Sequence, residues 1–82
     1  MSSRVEPPLR MLSKGLNNKI FVKLKDGSEF IGMLEHYDTC MNLILNEAKE
    51  VDEEGNPMAN FGKVLIRGSN IIYISLDATR VV

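Results

Sequence analysis

Residues 19–38 read KIFVKLKDGSEFIGMLEHYD, and this stretch predicts two β-strands joined by a tight turn. Aliphatic side chains occupy every second position at its start, with lysines and one phenylalanine between them, which is the period of a strand. Asp26-Gly27 then supplies a two-residue hairpin turn. Gly32, inside the second strand, indicates a sharp bend or a close backbone approach. Such bends let a small sheet curl into a barrel.

The rest of the chain adds one helix and three further strands. Pro8 and Gly15 bracket a short run with the proline-first, glycine-last punctuation of a helix. The polar stretch 50–60 predicts a loop, and Gly68-Ser69 predicts a tight two-residue turn. We therefore expect a mainly β single domain over residues 1–82, with a helix at about 8–14 and strands at about 19–25, 28–38, 41–49, 61–67 and 70–76.

Length and composition argue against a multidomain, disulfide-bonded, membrane-spanning or secreted protein. The 82 residues leave room for one small domain, and 44% apolar with 26% charged residues is ordinary for a globular chain. Cys40 is the single cysteine, so an internal disulfide is excluded and we expect a reducing, cytoplasmic location. No apolar run is longer than four residues, which predicts no membrane span, and the charged residues among the first ten predict no secretion signal.

The net charge of −1 hides a strong segregation along the chain. Residues 1–25 carry six basic side chains and one acid, whereas residues 26–62 carry one lysine and nine acids. A chain of this kind presents a positive surface to a polyanion without binding nucleic acid indiscriminately. Solvated loops and strand edges explain the same pattern without any partner.

The last two strands predict self-association. Segments 64–67 and 71–76 place apolar residues on both faces, and a sheet in a chain this small has nothing to cover both. Pairing of unpaired strand edges between copies supplies the missing hydrogen bonds and apolar burial. A head-to-tail contact of this kind closes into a ring or grows into a fibre, and we favour the closed ring.

The chain offers little material for catalysis. His36 is the only histidine, so a nucleophile has no second base to activate it. On one strand, His36, Asp38 and Cys40 would point the same way as a metal or Cys/His site, although a turn at 39–41 would break that row. The carboxylates of 52–54 lie in a polar loop without an apolar pocket. We expect no enzyme, no metal and no cofactor.

Two polar segments are more informative. Asp38 and Asn42 flank the turn between the second and third strands, and Arg67 precedes the glycine turn at Gly68. These side chains could meet at one end of a small barrel. There Asn offers a hydrogen-bond donor and an acceptor to the edge of a base, and Arg offers a charge for phosphate and a plane for stacking. Asp can hold either side chain in place. Turn capping by Asp and Asn beside one surface Arg explains the same residues without a ligand.

These segments resemble the two motifs of the Sm/LSm family, most closely the short archaeal Sm-like proteins. The first motif is similar over Ile20-Phe21-Val22-Lys23-Leu24-Lys25-Asp26-Gly27, Gly32, Leu34, Tyr37-Asp38, Met41-Asn42 and Leu45. The second is similar over Gly62-Lys63-Val64-Leu65-Ile66-Arg67-Gly68-Ser69-Asn70-Ile71. The resemblance covers about residues 8–76, and it is weaker to bacterial Hfq.

The resemblance implies an Sm fold, in which an N-terminal helix precedes a strongly bent, SH3-like open barrel of five antiparallel strands. Subunits of this family form rings, seven-fold in the archaeal branch, that bind single-stranded U-rich RNA around the pore. By motif position, Asn42 would bond the uracil edge, Arg67 would stack on the base, Asp38 would orient both, and Gly68 would let the backbone approach. Cys40 replaces an aromatic residue that stacks on the base, so we expect weaker pockets than in a Cys40→His variant.

In such a ring the basic N-terminal residues Arg4, Arg10 and Lys14 would surround the RNA-binding face. We therefore expect a homo-oligomeric ring, heptameric as the resemblance implies, that binds U-rich RNA as a chaperone or scaffold in RNA processing. RNA-processing proteins or other Sm-like paralogues are further expected partners, and DNA and membranes are not. The alternative is a protein-interaction scaffold ring whose pore binds little RNA.

Overall fold

The computed structural model describes residues 8–76, which form one short helix and a five-stranded antiparallel sheet. The elements are α1 Pro8–Gly15, β1 Lys19–Leu24, β2 Glu29–Tyr37, β3 Leu43–Val51, β4 Pro57–Ile66 and β5 Ile71–Ser75. The expected fold class, a helix followed by a bent antiparallel sheet, is confirmed. None of the helices in this part of the chain is long and apolar enough to cross a membrane.

The first hairpin forms as its alternating pattern predicts. Lys23 pairs with Glu29 across β1 and β2, and the Lys23 ammonium lies 2.8 Å from the Glu29 carboxylate. Between the strands, the Asp26 carboxylate accepts a hydrogen bond from the Ser28 N–H at 2.8 Å, and Gly27 has a φ of 94°. Only glycine adopts that backbone conformation without strain, which explains the Asp-Gly sequence.

Eight buried apolar side chains form the core between α1 and one face of the sheet. They are Leu12, Ile20, Val22, Leu34, Leu43, Leu45, Ala48 and Ile66. Within β2, Leu34 is fully buried, whereas Phe30 and Tyr37 are half-buried at the margin of this core. On the opposite face of the sheet, Phe21 is also buried, and its ring centroid lies 6.1 Å from that of Tyr73.

The bend expected at Gly32 is present. A Cβ atom built on Gly32 would lie 3.1 Å from both the Ala48 Cα and the Asn46 carbonyl oxygen, so a side chain here would push the main chain of β3 away by a few tenths of an ångström. The pairing register of β2 and β3 shifts at Gly32, between Ile31 and Met33, and again between Leu34 and His36. Register shifts bend a strand and increase its twist, and here they curl the sheet into an open barrel.

The strand order is β4-β3-β2-β1-β5, so β4 and β5 are the two edges of the sheet. The tight turn expected at Gly68-Ser69 is wrong, because Gly68–Asn70 form a 3₁₀ turn that carries the chain across to the far edge. There β5 pairs with β1 instead of returning along β4. Each edge strand therefore has one neighbour in the subunit and one open side.

The predicted loop at 50–60 is shorter in the structure. β3 continues to Val51 and β4 begins at Pro57, four residues before the predicted start, and these two residues pair directly. A proline is tolerated here because it is the first residue of an edge strand, where its missing N–H breaks no ladder. The acidic side chains of the turn therefore project from the tip of a long β3–β4 hairpin.

Candidate nucleic-acid interface

A compact turn over residues 38–42 joins β2 to β3. The Asp38 Oδ1 atom accepts hydrogen bonds from the N–H groups of Cys40 at 2.9 Å and Asn42 at 3.0 Å. The Met41 N–H also donates to the Asp38 carbonyl at 2.9 Å, and Met41 has a φ of 66°. One carboxylate therefore organises the whole turn, as Asp commonly does.

The Asn42 side chain connects this turn to the one that follows β4. Its Nδ2 donates to Asp38 Oδ2 at 3.0 Å, and its Oδ1 accepts the Gly68 N–H at 2.9 Å. A side-chain amide has two N–H donors and two acceptor sites, so one of each is still available to a ligand. Asn42 thus presents a fixed donor and acceptor pair, the pattern that a nucleobase edge requires.

Gly68 allows the two turns to approach. A Cβ atom at this position would overlap the Cys40 carbonyl oxygen and would lie 2.9 Å from the Met41 carbonyl carbon. Those are main-chain atoms of the other turn, which no side-chain rotation can move. The glycine expected from the motif is therefore needed for the contact between Asn42 and the turn after β4.

The same hydrogen bonds tune the acidity of Asp38. The side-chain amide of Asn42, followed by its main-chain N–H and that of Cys40, holds the pKa of Asp38 below its ordinary value. Charge–charge attraction from a protonated His36 acts in the same direction, as the smallest contribution. Asp38 is therefore a carboxylate, and an acceptor only, under neutral conditions.

We predict that Asp38 contributes to the acid sensitivity of folding. Because its folded-state pKa is lowered, its stabilising effect is present above about pH 4 and is lost as the pH falls further. The free energy of unfolding of an Asp38→Asn variant should therefore decline less steeply below pH 4 than that of the native protein. Denaturant titrations at several pH values measure this, and equal declines would contradict it. Asp26 and Asp52 also have lowered pKa values, so part of the decline remains.

Beside Asn42 lies an open cavity of about 370 Å³. Its lining residues are His36, Asp38, Asn42, Ile44, Leu65 and Arg67. Arg67 is exposed, and none of the hydrogen bonds or ion pairs among the described residues involves its guanidinium. Within the subunit the Asp38 carboxylate bonds its own turn, so the orienting contact expected from Asp38 to Arg67 stays a prediction.

The structure also separates Cys40 from this cavity. Its main-chain N–H supports the turn, but its side chain is exposed and does not line the cavity. His36, which the sequence offered only as a metal ligand, lines it instead. No three His, Cys, Asp or Glu side chains within residues 8–76 are grouped so as to hold a metal ion, because the turn breaks the row that began at His36.

A second turn repeats the first almost atom for atom. Asp52 Oδ1 accepts the N–H groups of Glu54 at 2.9 Å and Asn56 at 2.8 Å, and Asn56 Nδ2 lies 3.3 Å from Asp52 Oδ2. Turn capping alone therefore explains the Asp–Asn pair at both places. What distinguishes Asn42 is its bond to Gly68 and the neighbouring Arg67.

The two turns lie at opposite ends of the β3–β4 hairpin and differ in charge. A concavity of about 550 Å³ at the Asp52 end is lined mainly by carboxylates, those of Asp26, Glu29, Glu50, Asp52, Glu53 and Glu54. Arg10 and Lys14 are exposed on α1. Two residues after the end of this helix, the Asn17 N–H donates to the Leu34 carbonyl, in the half of β2 that leads to Asp38. Arg4 lies outside the described residues. The Asp52 end of the hairpin is therefore strongly negative, whereas the Asp38 end lies on the side of the basic residues of α1.

Comparison with known proteins assigns the chain to a family. The LSM domain model matches residues 10–76, which include both turns and all five strands. This chain belongs to the LSM family. The resemblance of its two motifs to Sm/LSm sequences is thereby confirmed.

Archaeal relatives of this LSM protein are similar over nearly their whole length. An Sm-like protein of Methanococcoides burtonii is 44% identical over 68 residues, which are 83% of this chain and 93% of the relative. The structure of the Pyrococcus abyssii Sm protein in complex with a uridine heptamer aligns with a TM-score of 0.80 at 37% identity, over 85% of this chain and 97% of that one. The structure of a heptameric archaeal Sm protein aligns with a TM-score of 0.73 at 33% identity, over 80% and 94%.

Proposed function

We propose that this LSM protein forms a homo-heptameric ring that binds single-stranded, U-rich RNA without catalysing a reaction. The observation that carries the proposal is the joined pair of turns, in which Asn42 is bonded to both Asp38 and Gly68 and leaves a donor and an acceptor toward the Arg67 cavity. Uracil offers complementary donors and acceptors on its edge, and single-stranded RNA exposes that edge.

The open edges of β4 and β5 support assembly into a ring. Large apolar side chains are exposed on both strands, among them Met58 and Phe61 on β4 and Ile72 and Tyr73 on β5. Pairing β4 of one subunit with β5 of the next satisfies both edges and covers these side chains. The heptameric relative and the relative bound to a uridine heptamer support seven subunits and a uridine ligand.

A ring also explains how weak pockets give useful affinity. Each subunit offers one small, open site, and seven sites around a pore engage successive nucleotides of one strand at high local concentration. The basic side chains of Arg10 and Lys14 then attract the phosphate backbone, and their effect falls with rising salt. In this role the ring serves as a scaffold or chaperone in RNA processing, together with processing proteins or Sm-like paralogues.

We predict that Asn42→Ala lowers the affinity for oligouridine at least tenfold while the ring stays intact. The variant loses the donor and the acceptor that Asn42 offers in each pocket, worth about 1 kcal/mol per hydrogen bond, and the loss repeats along the strand. Asn56→Ala is the matched control, because it removes the same side chain from the same kind of turn at the acidic end. Fluorescence anisotropy with labelled oligouridine measures both affinities, and light scattering measures both ring masses.

The control also separates the two candidate functions. If Asn42→Ala and Asn56→Ala rings bind oligouridine as the native ring does, the pocket is not an RNA site. The protein-interaction scaffold would then be the better account of an intact ring. If both variants weaken oligouridine binding equally, the two turns affect RNA binding only through the stability of the fold.

A further inference from the structure

A row of three side chains crosses the sheet beside the proposed base site. His36 on β2 pairs with Ile44 on β3, and Ile44 pairs with Leu65 on β4. The next row along the same strands, Tyr37, Leu43 and Ile66, belongs to the core face, so the His36 row lies on the opposite face. One imidazole and two aliphatic side chains therefore form a continuous outer surface.

This row is the floor of the cavity that Asn42 and Arg67 border. His36 is exposed, Ile44 is half-buried and Leu65 is 64% exposed, so the surface is open to a ligand in the subunit. Three adjacent strands span about 10 Å, which is wide enough for one planar nucleobase. The Arg67 guanidinium at its border favours an occupant that carries a phosphate.

We infer that the His36 imidazole packs against the face of the pyrimidine base whose edge is bonded by Asn42, with Ile44 and Leu65 as an apolar floor. This inference rests on the proposed function and adds a recognition residue to it. The imidazole provides the π-face that Cys40 lacks, and the two aliphatic side chains exclude water from the base. His36 is thus a ligand-contacting residue and not a metal ligand.

Three variants at position 36 test the role of the ring. His36→Ala should lower the affinity of the intact ring for oligouridine by about fivefold to a hundredfold, the range expected for one stacked base. His36→Phe should stay close to the native affinity because it keeps an aromatic face, whereas His36→Leu should bind as weakly as His36→Ala. Fluorescence anisotropy gives the affinities, and light scattering gives the mass of each variant.

Several results would overturn the inference. Native affinity in His36→Ala would show that the ring is not used, and equal rescue by His36→Leu would show that apolar bulk is enough. If His36→Ala instead breaks the ring, the row is covered by a neighbouring subunit and not by a base. A native protein that binds no oligouridine would refute the proposed function itself.

A direct readout is available because the chain has a single histidine. The Cε1–H resonance of His36 in the ¹³C-labelled native ring should shift when oligouridine is added. It should not shift at the same concentrations in the Asn42→Ala ring, which keeps His36 but binds weakly. The native ring could bind oligouridine, and Asn42→Ala could weaken that binding, while the His36 resonance still does not move. In that case the proposed function survives and the role of His36 is rejected.

Discussion

Gly68→Ala is expected to destabilise the subunit by about 3 kcal/mol and to abolish oligouridine binding. The added methyl group would overlap the Cys40 carbonyl oxygen and crowd the main chain at Met41. One of the two turns must therefore move, and the hydrogen bond from the Gly68 N–H to Asn42 Oδ1 breaks. A stability loss of this size in a small domain corresponds to a fall in Tm of at least about 10 °C.

Thermal unfolding at a fixed protein concentration measures the effect of this substitution. Gly27→Ala is the control, because Gly27 has open space around it but a φ of 94°. That variant suffers only the backbone strain of a left-handed residue, about 1 kcal/mol, and should still bind oligouridine. If Gly68→Ala is no less stable than Gly27→Ala, the close contact between the two turns is not a structural requirement.

Ile72→Asp is expected to dissociate the ring into smaller species. Ile72 lies on the open edge of β5 and is 55% exposed in the subunit, although its side chain is large and apolar. In the ring it would be covered by the next subunit, so the variant loses about 2 kcal/mol of apolar burial and buries an unpaired charge at every interface. Oligouridine affinity should fall by about 10²–10⁴ once the sites no longer share one particle.

Light scattering and anisotropy, at the same subunit concentration, follow both changes. Asn46→Asp is the charge-matched control, since it adds one negative charge at an exposed position on the inner strand β3. An aspartate there still accepts the hydrogen bond that the Asn46 side chain receives from the Glu47 N–H. A ring of unchanged mass in Ile72→Asp would contradict assembly through the β5 edge.

The first hairpin and the bend were predictable because their causes are local. Alternation over residues 19–25, the Asp26-Gly27 pair and an isolated Gly32 each determine a conformation within a few residues. The same holds for the turn at Asp38 and Asn42, whose side chains bond the main chain of their own turn. Local hydrogen bonds and backbone preferences therefore account for most of the fold.

Features that depend on distant parts of the chain were not predictable. The chain after Gly68 crosses to β1 because the sheet curls, and nothing in residues 66–71 distinguishes this path from a hairpin. Pro57 suggested a loop, whereas its pairing with Val51 makes it the start of an edge strand. The orienting role of Asp38 toward Arg67 stays a prediction, because within the subunit the carboxylate bonds only its own turn.

The sequence pattern around His36 suggested the wrong neighbours for this side chain. Its spacing from Asp38 and Cys40 suggested ligands on one straight strand, but the turn diverts Cys40 and leaves His36 opposite Ile44. The position of Ile44, two residues after Asn42, was the available signal, because alternate strand residues share a face. The cross-strand register that makes these residues neighbours is not visible in the sequence alone.

Native mass spectrometry of the full chain with a uridine heptamer at micromolar concentration tests the central claim most directly. We expect a particle of seven 9.2 kDa subunits that carries one oligonucleotide. That result requires both the paired β4 and β5 edges and pockets gathered around one pore. A folded monomer under these conditions, or a ring that takes up no oligouridine, would contradict it.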